Sequence, residues 1–180
     1  MHFGLFMSKI TTPLIMGIVN ITPDSFSDGG KFFATDAAIA QARRLIAEGA
    51  DLLDFGAEST RPGAAPVSEA DEIARLVPVL EALADIPVPI SVDTMKPAVM
   101  REAVRRGASM INDIRALTEP GAMQAVATTD CGICLMHMQG EPRTMQAAPR
   151  YDDPVLEVAA FLAARRDAAL VAGIGFDRID

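Results

Sequence analysis

The sequence predicts an α/β fold of parallel strands joined by helical crossovers, and three observations carry that prediction. Short apolar runs, each too brief for a helix, alternate five times with longer stretches of helical periodicity. Half of the 180 residues are apolar, mainly Ala, Val, Ile and Leu, while aromatics are scarce and Trp is absent. That composition suits buried parallel strands under Ala-rich helices better than a β-sandwich. Each apolar run is bounded by Gly, Pro, Asn or Asp, which marks the strand ends.

The first run, Leu14–Val19, leads through Asn20 into a polar loop that reaches Gly30. Thr35 is the expected cap of the first helix, which passes through Ile39, Arg43 and Ile46 and stops at Gly49. The second run, Leu52–Phe55, precedes Glu58-Ser-Thr-Arg-Pro-Gly63. Ser68 and Asp71 then resemble a capping box ahead of Ile73, Leu76, Val77, Leu80 and Leu83 at helical spacing. Pro89–Val92 ends at Asp93, and Pro97 falls in the first turn of a helix that closes near Gly107. Met110–Asn112 is the fourth run, with Glu119-Pro-Gly121 opening the next helix. Gly132–Met136 is the fifth, and Asp153-Pro154 opens a helix that runs to about Gly173.

Consecutive βα units imply parallel strands with right-handed crossovers, in a doubly wound sheet or in a barrel. A doubly wound nucleotide-binding sheet normally carries a Gly-rich turn after its first strand, where this chain has Asn20-Ile-Thr-Pro-Asp24. No repeat or low-complexity linker divides the chain, so residues 1–180 read as one domain. Gly173–Asp180 reads as a loop leading to a sixth strand that does not arrive.

The net charge of −8 argues against a general nucleic-acid or anionic-membrane surface. No apolar run reaches transmembrane length and no secretory leader is recognisable at the start, so a cytoplasmic protein is expected. Cys131 and Cys134 form a C-x-x-C. Within a strand, however, residues three apart point to opposite faces, and no fourth zinc ligand is at hand. Both are expected to be structural.

The chemistry gathers after the strands: Asn20 and its loop, Glu58–Gly63, Asp93-Thr94, Asn112-Asp113 and His137–Gly140. Parallel strands bring these ends to one face. Any one Asp or Asn is explained as a helix cap, but polar residues at all five ends point to a site. A carboxylate at Asp93 accepts two N–H groups, and the amide of Asn112 both donates and accepts, which suits a flat heterocycle with a mixed edge. Met136 offers a thioether to pack on a ring. Asn20 and the first loop suit a diphosphate with Mg²⁺, and Arg61 a carboxylate or phosphate. The residues alone lead to a phosphorylated-heterocycle site in a βα barrel.

Five segments carry a resemblance. Met16–Gly30 and Gly49–Gly63 resemble the two signatures of dihydropteroate synthases, and Ile90–Thr94, Ile111–Ile114 and Cys134–Gly140 follow in that family's order and spacing. The resemblance implies a TIM (β/α)8 barrel, of which this chain carries about the first five units, truncated at its C-terminus. It implies that Asp93, Asn112, Ile114 and Met136 line a pterin pocket, and that Asn20 meets the diphosphate and Mg²⁺. Phe26, Asp28, Thr60, Arg61 and Pro62 would belong to the two loops around a p-aminobenzoate pocket, where sulfonamides compete in the family.

The implied reaction condenses 6-hydroxymethyl-7,8-dihydropterin diphosphate with p-aminobenzoate to dihydropteroate and diphosphate. No residue is assigned as acid or base, and His137, which a structural hydrogen bond explains equally well, is given no catalytic role. A homodimer is implied for the full-length family member. A second pterin-binding Asp, a Lys, an Arg and a His of the family have no counterpart in these residues, so impaired activity is expected of this chain. Two other readings remain at this stage: a pterin-binding barrel that moves a methyl group from a folate to a corrinoid protein, and a non-catalytic pterin-binding fragment.

Overall fold

The computed structural model describes residues 13–21, 30–59, 66–142 and 144–180. Within them the apolar runs become five strands: β1 (Met16–Asn20), β2 (Leu52–Gly56), β3 (Ile90–Asp93), β4 (Met110–Asp113) and β5 (Gly132–Leu135). All are parallel, and the sheet order is the chain order, β1-β2-β3-β4-β5. A doubly wound sheet reverses its order at a switch point, whereas a barrel adds each strand beside the one before. The order therefore settles the choice left open by the sequence in favour of the barrel.

The helices between them are α1 (Gly30–Ala47), α2 (Glu69–Ala82), α3 (Pro97–Arg105), α4 (Ala122–Val126) and α5 (Pro154–Val171). Ser68 caps α2 as its spacing requires, its hydroxyl accepting from the Asp71 N–H at 3.1 Å and donating to the Asp71 carboxylate at 2.7 Å. Because only a single-turn cap is lost, Ser68→Ala should lower stability by about 1 kcal/mol in a denaturant titration and leave ligand binding intact. Pro97 occupies the first turn of α3, and Asp153 caps α5 by accepting from the N–H groups of Val155 and Leu156.

The helix expected after Glu119-Pro-Gly121 is present as α4, five residues long. Two expectations need correction. The first helix begins at Gly30, not after Thr35, because nothing in residues 30–34 breaks a helix beyond the terminal glycine. A start of a sixth strand is present: Ile179 bridges to Ile133 in parallel, Asp180 N–H donates to the Ile133 carbonyl, and Leu135 N–H donates to the Asp180 carbonyl, each at 2.9 Å.

Alternation along the strands separates two faces. Val19, Leu53, Phe55, Ile90, Val92, Ile111 and Ile133 face the helices and are buried with Leu76, Val79, Leu80, Val99 and Met100 in the main core. The opposite, barrel-interior face starts apolar, with Leu52 and Met110 buried against Leu14, Met16 and Cys134. Toward the C-terminal ends of the strands the same face turns polar.

Candidate functional site

Strand register builds a row of side chains across the sheet. Asn20 pairs with Gly56, Gly56 with Asp93, Asp93 with Asn112, and Asn112 with Cys134. All five occupy the interior face at the C-terminal end of their strands, which is where a parallel barrel assembles sites. Gly56 keeps the middle of this row low. A methyl group there would lie 3.6 Å from Asp93 Oδ2 and 3.7 Å from Asn20 Oδ1, filling the space that separates the two side chains.

One layer below lies Asp54, which the sequence reading passed over. It is buried, and its two oxygens accept from Ser91 Oγ (2.6 Å) and from Asn112 Nδ2 (3.2 Å). The second bond fixes which way the Asn112 amide faces and turns its carbonyl oxygen away from Asp54. Burial raises the Asp54 carboxyl above the usual carboxylate range, while the bonds from Ser91 and Asn112 hold it down. The available signal was an Asp two positions before Gly56, on the same strand face as the strand-end residues.

Asp93 is partly buried at the end of β3. Its carboxyl is pushed up to about 7, first by burial and then by the negative charges of Asp54, Glu72, Asp113 and Glu58. Several carboxylates in one low-dielectric region cannot all ionise freely. Asp93 is therefore poised between neutral acid and carboxylate near neutral pH.

The β4 end continues into a constrained loop. The buried carboxylate of Asp113 accepts from Arg115 N–H (2.8 Å) and Leu117 N–H (2.9 Å). Ala116 and Leu117 both take left-handed backbone angles, φ 50° and 57°, a conformation that costs energy for residues with a Cβ. Arg165 of α5 holds them from the other side, donating to the carbonyls of Ala116 (2.7 Å) and Leu117 (2.8 Å). Ile114, 8% exposed, is presented by this loop two residues beyond Asn112. Met136 follows β5, partly buried, with its N–H on the Asp113 carbonyl at 3.3 Å.

The structure thus brings Asn20, Asp93 and Asn112 into one row, with Ile114 and Met136 at adjoining strand ends. Phe26, Asp28, Thr60, Arg61 and Pro62 lie outside the described residues. Cys131 packs in the helix-side core and Cys134 on the interior face, the opposite orientations expected from strand alternation. The Cys134 thiol is raised by burial and then by Asp180, Asp54 and Asp93, so it stays protonated at neutral pH. His137 turns toward α5, its ring edge-on to Phe161 at 5.0 Å and tilted against Tyr151 at 5.8 Å.

Among the described residues no group of three or more His, Cys, Asp or Glu side chains is arranged to hold a metal. An ion at this face would depend on few protein ligands and on oxygens of its own substrate. The exposed amide oxygen of Asn20, a hard donor, fits Mg²⁺ used in that way.

Residues 16–179 match the family model described as "Pterin binding enzyme". The chain is 51% identical over 166 residues to the dihydropteroate synthase of Haemophilus influenzae, covering 92% of this chain and 60% of that protein. The crystal structure of Burkholderia cenocepacia dihydropteroate synthase complexed with 7,8-dihydropteroate superposes with a TM-score of 0.84 at 51% identity, over 94% of this chain and 57% of that one. The Xanthomonas albilineans dihydropteroate synthase with 4-aminobenzoic acid gives a TM-score of 0.86 at 54% identity, over 94% of this chain and 60% of that one. The chain spans about three fifths of the length of the curated relative just named.

Proposed function

The chain belongs to the pterin-binding enzyme family, and we propose that it forms the pterin and diphosphate face of a dihydropteroate synthase. The observation that carries this reading is the in-register row of Asn20, Gly56, Asp93 and Asn112 on one polar barrel face. The pterin's amino-pyrimidine edge would donate to Asp93 and exchange hydrogen bonds with Asn112, whose amide is already turned by Asp54. Ile114 and Met136 would pack against the ring. Phe26, Asp28, Thr60, Arg61 and Pro62 are assigned to the loops over the p-aminobenzoate pocket. The 7,8-dihydropteroate bound by the Burkholderia relative and the 4-aminobenzoic acid bound by the Xanthomonas relative support the reading of a synthase. The 180 residues are read as a single pterin-binding unit, within a cytoplasmic protein that forms a homodimer.

In the proposed reaction the C–O bond between the pterin methylene and the diphosphate breaks, and the aryl amine forms a C–N bond to that carbon and loses a proton. Positive charge develops on the pterin as the diphosphate leaves. An ionised Asp93 beside the ring favours that charge from its place at the end of β3, between Gly56 and Asn112 in the row. Asn20 would hold Mg²⁺ together with the diphosphate oxygens, and the ion would neutralise the leaving group. No side chain is required as nucleophile, and the aryl amine is already nucleophilic near neutral pH. His137, engaged with aromatic rings of α5 and its approach, takes no part.

The native protein carrying these residues, mixed with the pterin diphosphate, p-aminobenzoate and Mg²⁺, is expected to release diphosphate in step with dihydropteroate. Methyl transfer from a folate to a corrinoid protein without diphosphate release would replace this reading.

A further inference from the structure

Beside the cavity that Asp93 lines is an ion cluster that the reaction above does not use. Lys96, the residue before α3, places its Nζ 2.6 Å from Glu58 Oε2 and 2.5 Å from Glu72 Oε2. The side chains of Lys96, Glu58 and Glu72 are 16%, 14% and 1% exposed. Glu58 uses its other oxygen to accept from the Val67 N–H at 3.0 Å, tying the end of β2 to the approach of α2. The other oxygen of Glu72, Oε1, is buried and has no hydrogen-bond partner. Glu72, Glu58 and Asp93 line one small cavity with Thr94, Met95 and Ile114, with about 10 Å³ of free space, room for roughly one water-sized group.

One cation facing two carboxylates leaves excess negative charge, and Glu72 lines the same cavity as Asp93. A buried ion cluster of this kind contributes little net stability, because desolvation offsets most of the Coulomb attraction; an apolar trio would brace the fold as well. The cavity that Glu58 and Glu72 share with Asp93 gives it another role. We propose that Lys96 is a positioning residue for Asp93: with Glu58 and Glu72 it forms a buried triad that sets the charge state of the Asp93 carboxyl at the ligand face. The importance of that charge state for catalysis rests on the pterin reading; the electrostatic coupling itself does not.

The charged groups that act on Asp93 are Asp54 from β2, Glu58 after it, Glu72 from α2 and Asp113 from β4, and burial acts in the same direction. Lys96 acts on Asp93 by neutralising Glu58 and Glu72. Removing it leaves the negative charge beside Asp93 uncompensated and makes Asp93 hold its proton more tightly. Removing the charge of Glu72 does the reverse. A merely structural brace would shift neither way, and its loss would lower only stability.

Titration of the Asp93 carboxyl by carbon-13 NMR, in the ligand-free chain, separates these outcomes. Lys96→Met should move the Asp93 midpoint up by about one pH unit and Glu72→Gln down by a similar amount, with Lys96→Arg staying near wild type. An upward move of one unit from about 7 would weaken any ligand that needs the carboxylate by about five-fold at that pH. Glu58→Gln should move the midpoint down as well. An Asp93 midpoint unchanged in both Glu72→Gln and Glu58→Gln overturns the inference, even if Lys96→Met fails to fold. Pterin affinity of the wild-type chain, read in the same samples, tests the proposed function separately. Loss of pterin binding with the opposite NMR shifts intact would sink that function and leave the triad standing.

Discussion

Asp93→Asn should weaken pterin binding by about 10- to 150-fold at about pH 8, while raising the melting temperature of the ligand-free chain. The first effect follows from losing a charged acceptor, because a hydrogen bond to an ionised group contributes about 1.5–3 kcal/mol. The second follows from linkage. The folded-state Asp93 carboxyl titrates at about 7, above its ordinary value of 3.8, so the folded state holds the proton more tightly than the unfolded state. Its contribution to stability is therefore lost as pH rises from about 4 to about 7, and a neutral Asn escapes that cost. The same titration makes wild-type pterin affinity rise with pH through about 7. Fluorescence titration with a pterin at several pH values, beside thermal melts, checks both effects. A variant that bound pterin as tightly as wild type at high pH would remove Asp93 from the ligand face.

Asp113→Ala should cost about 3 kcal/mol or more of stability, lowering the melting temperature by about 10 °C. The carboxylate is fully buried and satisfies two backbone N–H groups of a loop whose Ala116 and Leu117 hold left-handed angles. Removing it leaves both donors unpaired in the interior and releases one of the two clamps on that conformation. Arg165 still grips the carbonyls from α5, so the loop should shift without the domain unfolding outright. Ile114 would move with it. Pterin affinity should consequently fall even though Asp113 points away from the row. Denaturant unfolding and pterin titration on the same sample test this, and an unchanged midpoint would show that the loop is held by other contacts.

Much of this was legible in the sequence for a local reason. Gly, Pro, Asn or Asp stands at one or both ends of every apolar run, so strand ends could be placed within a residue or two, and Asp93 and Asn112 lie at those ends. Strand alternation alone separated Cys131 from Cys134. What escaped was whatever depends on contacts between distant elements. Asp54 sits inside an otherwise apolar strand, and its partners come from β3 and β4. Lys96 read as a residue before a proline, yet it joins α2, α3 and the end of β2 through Glu72 and Glu58. The start of α1 was missed because helix entry at Gly30 carries no strong local cap signal, whereas Ser68 and Asp153 announce theirs. The choice between barrel and doubly wound sheet required the strand order, which no local pattern encodes.

The central claim is that one barrel face, the row from Asn20 through Asp93 to Asn112, holds a pterin. A structure of the protein with bound pterin tests it most directly. The account predicts the amino-pyrimidine edge within hydrogen-bond distance of Asp93 and Asn112, with the ring between Ile114 and Met136. A pterin seated away from those strand ends, with Asp93 and Asn112 untouched, would contradict it.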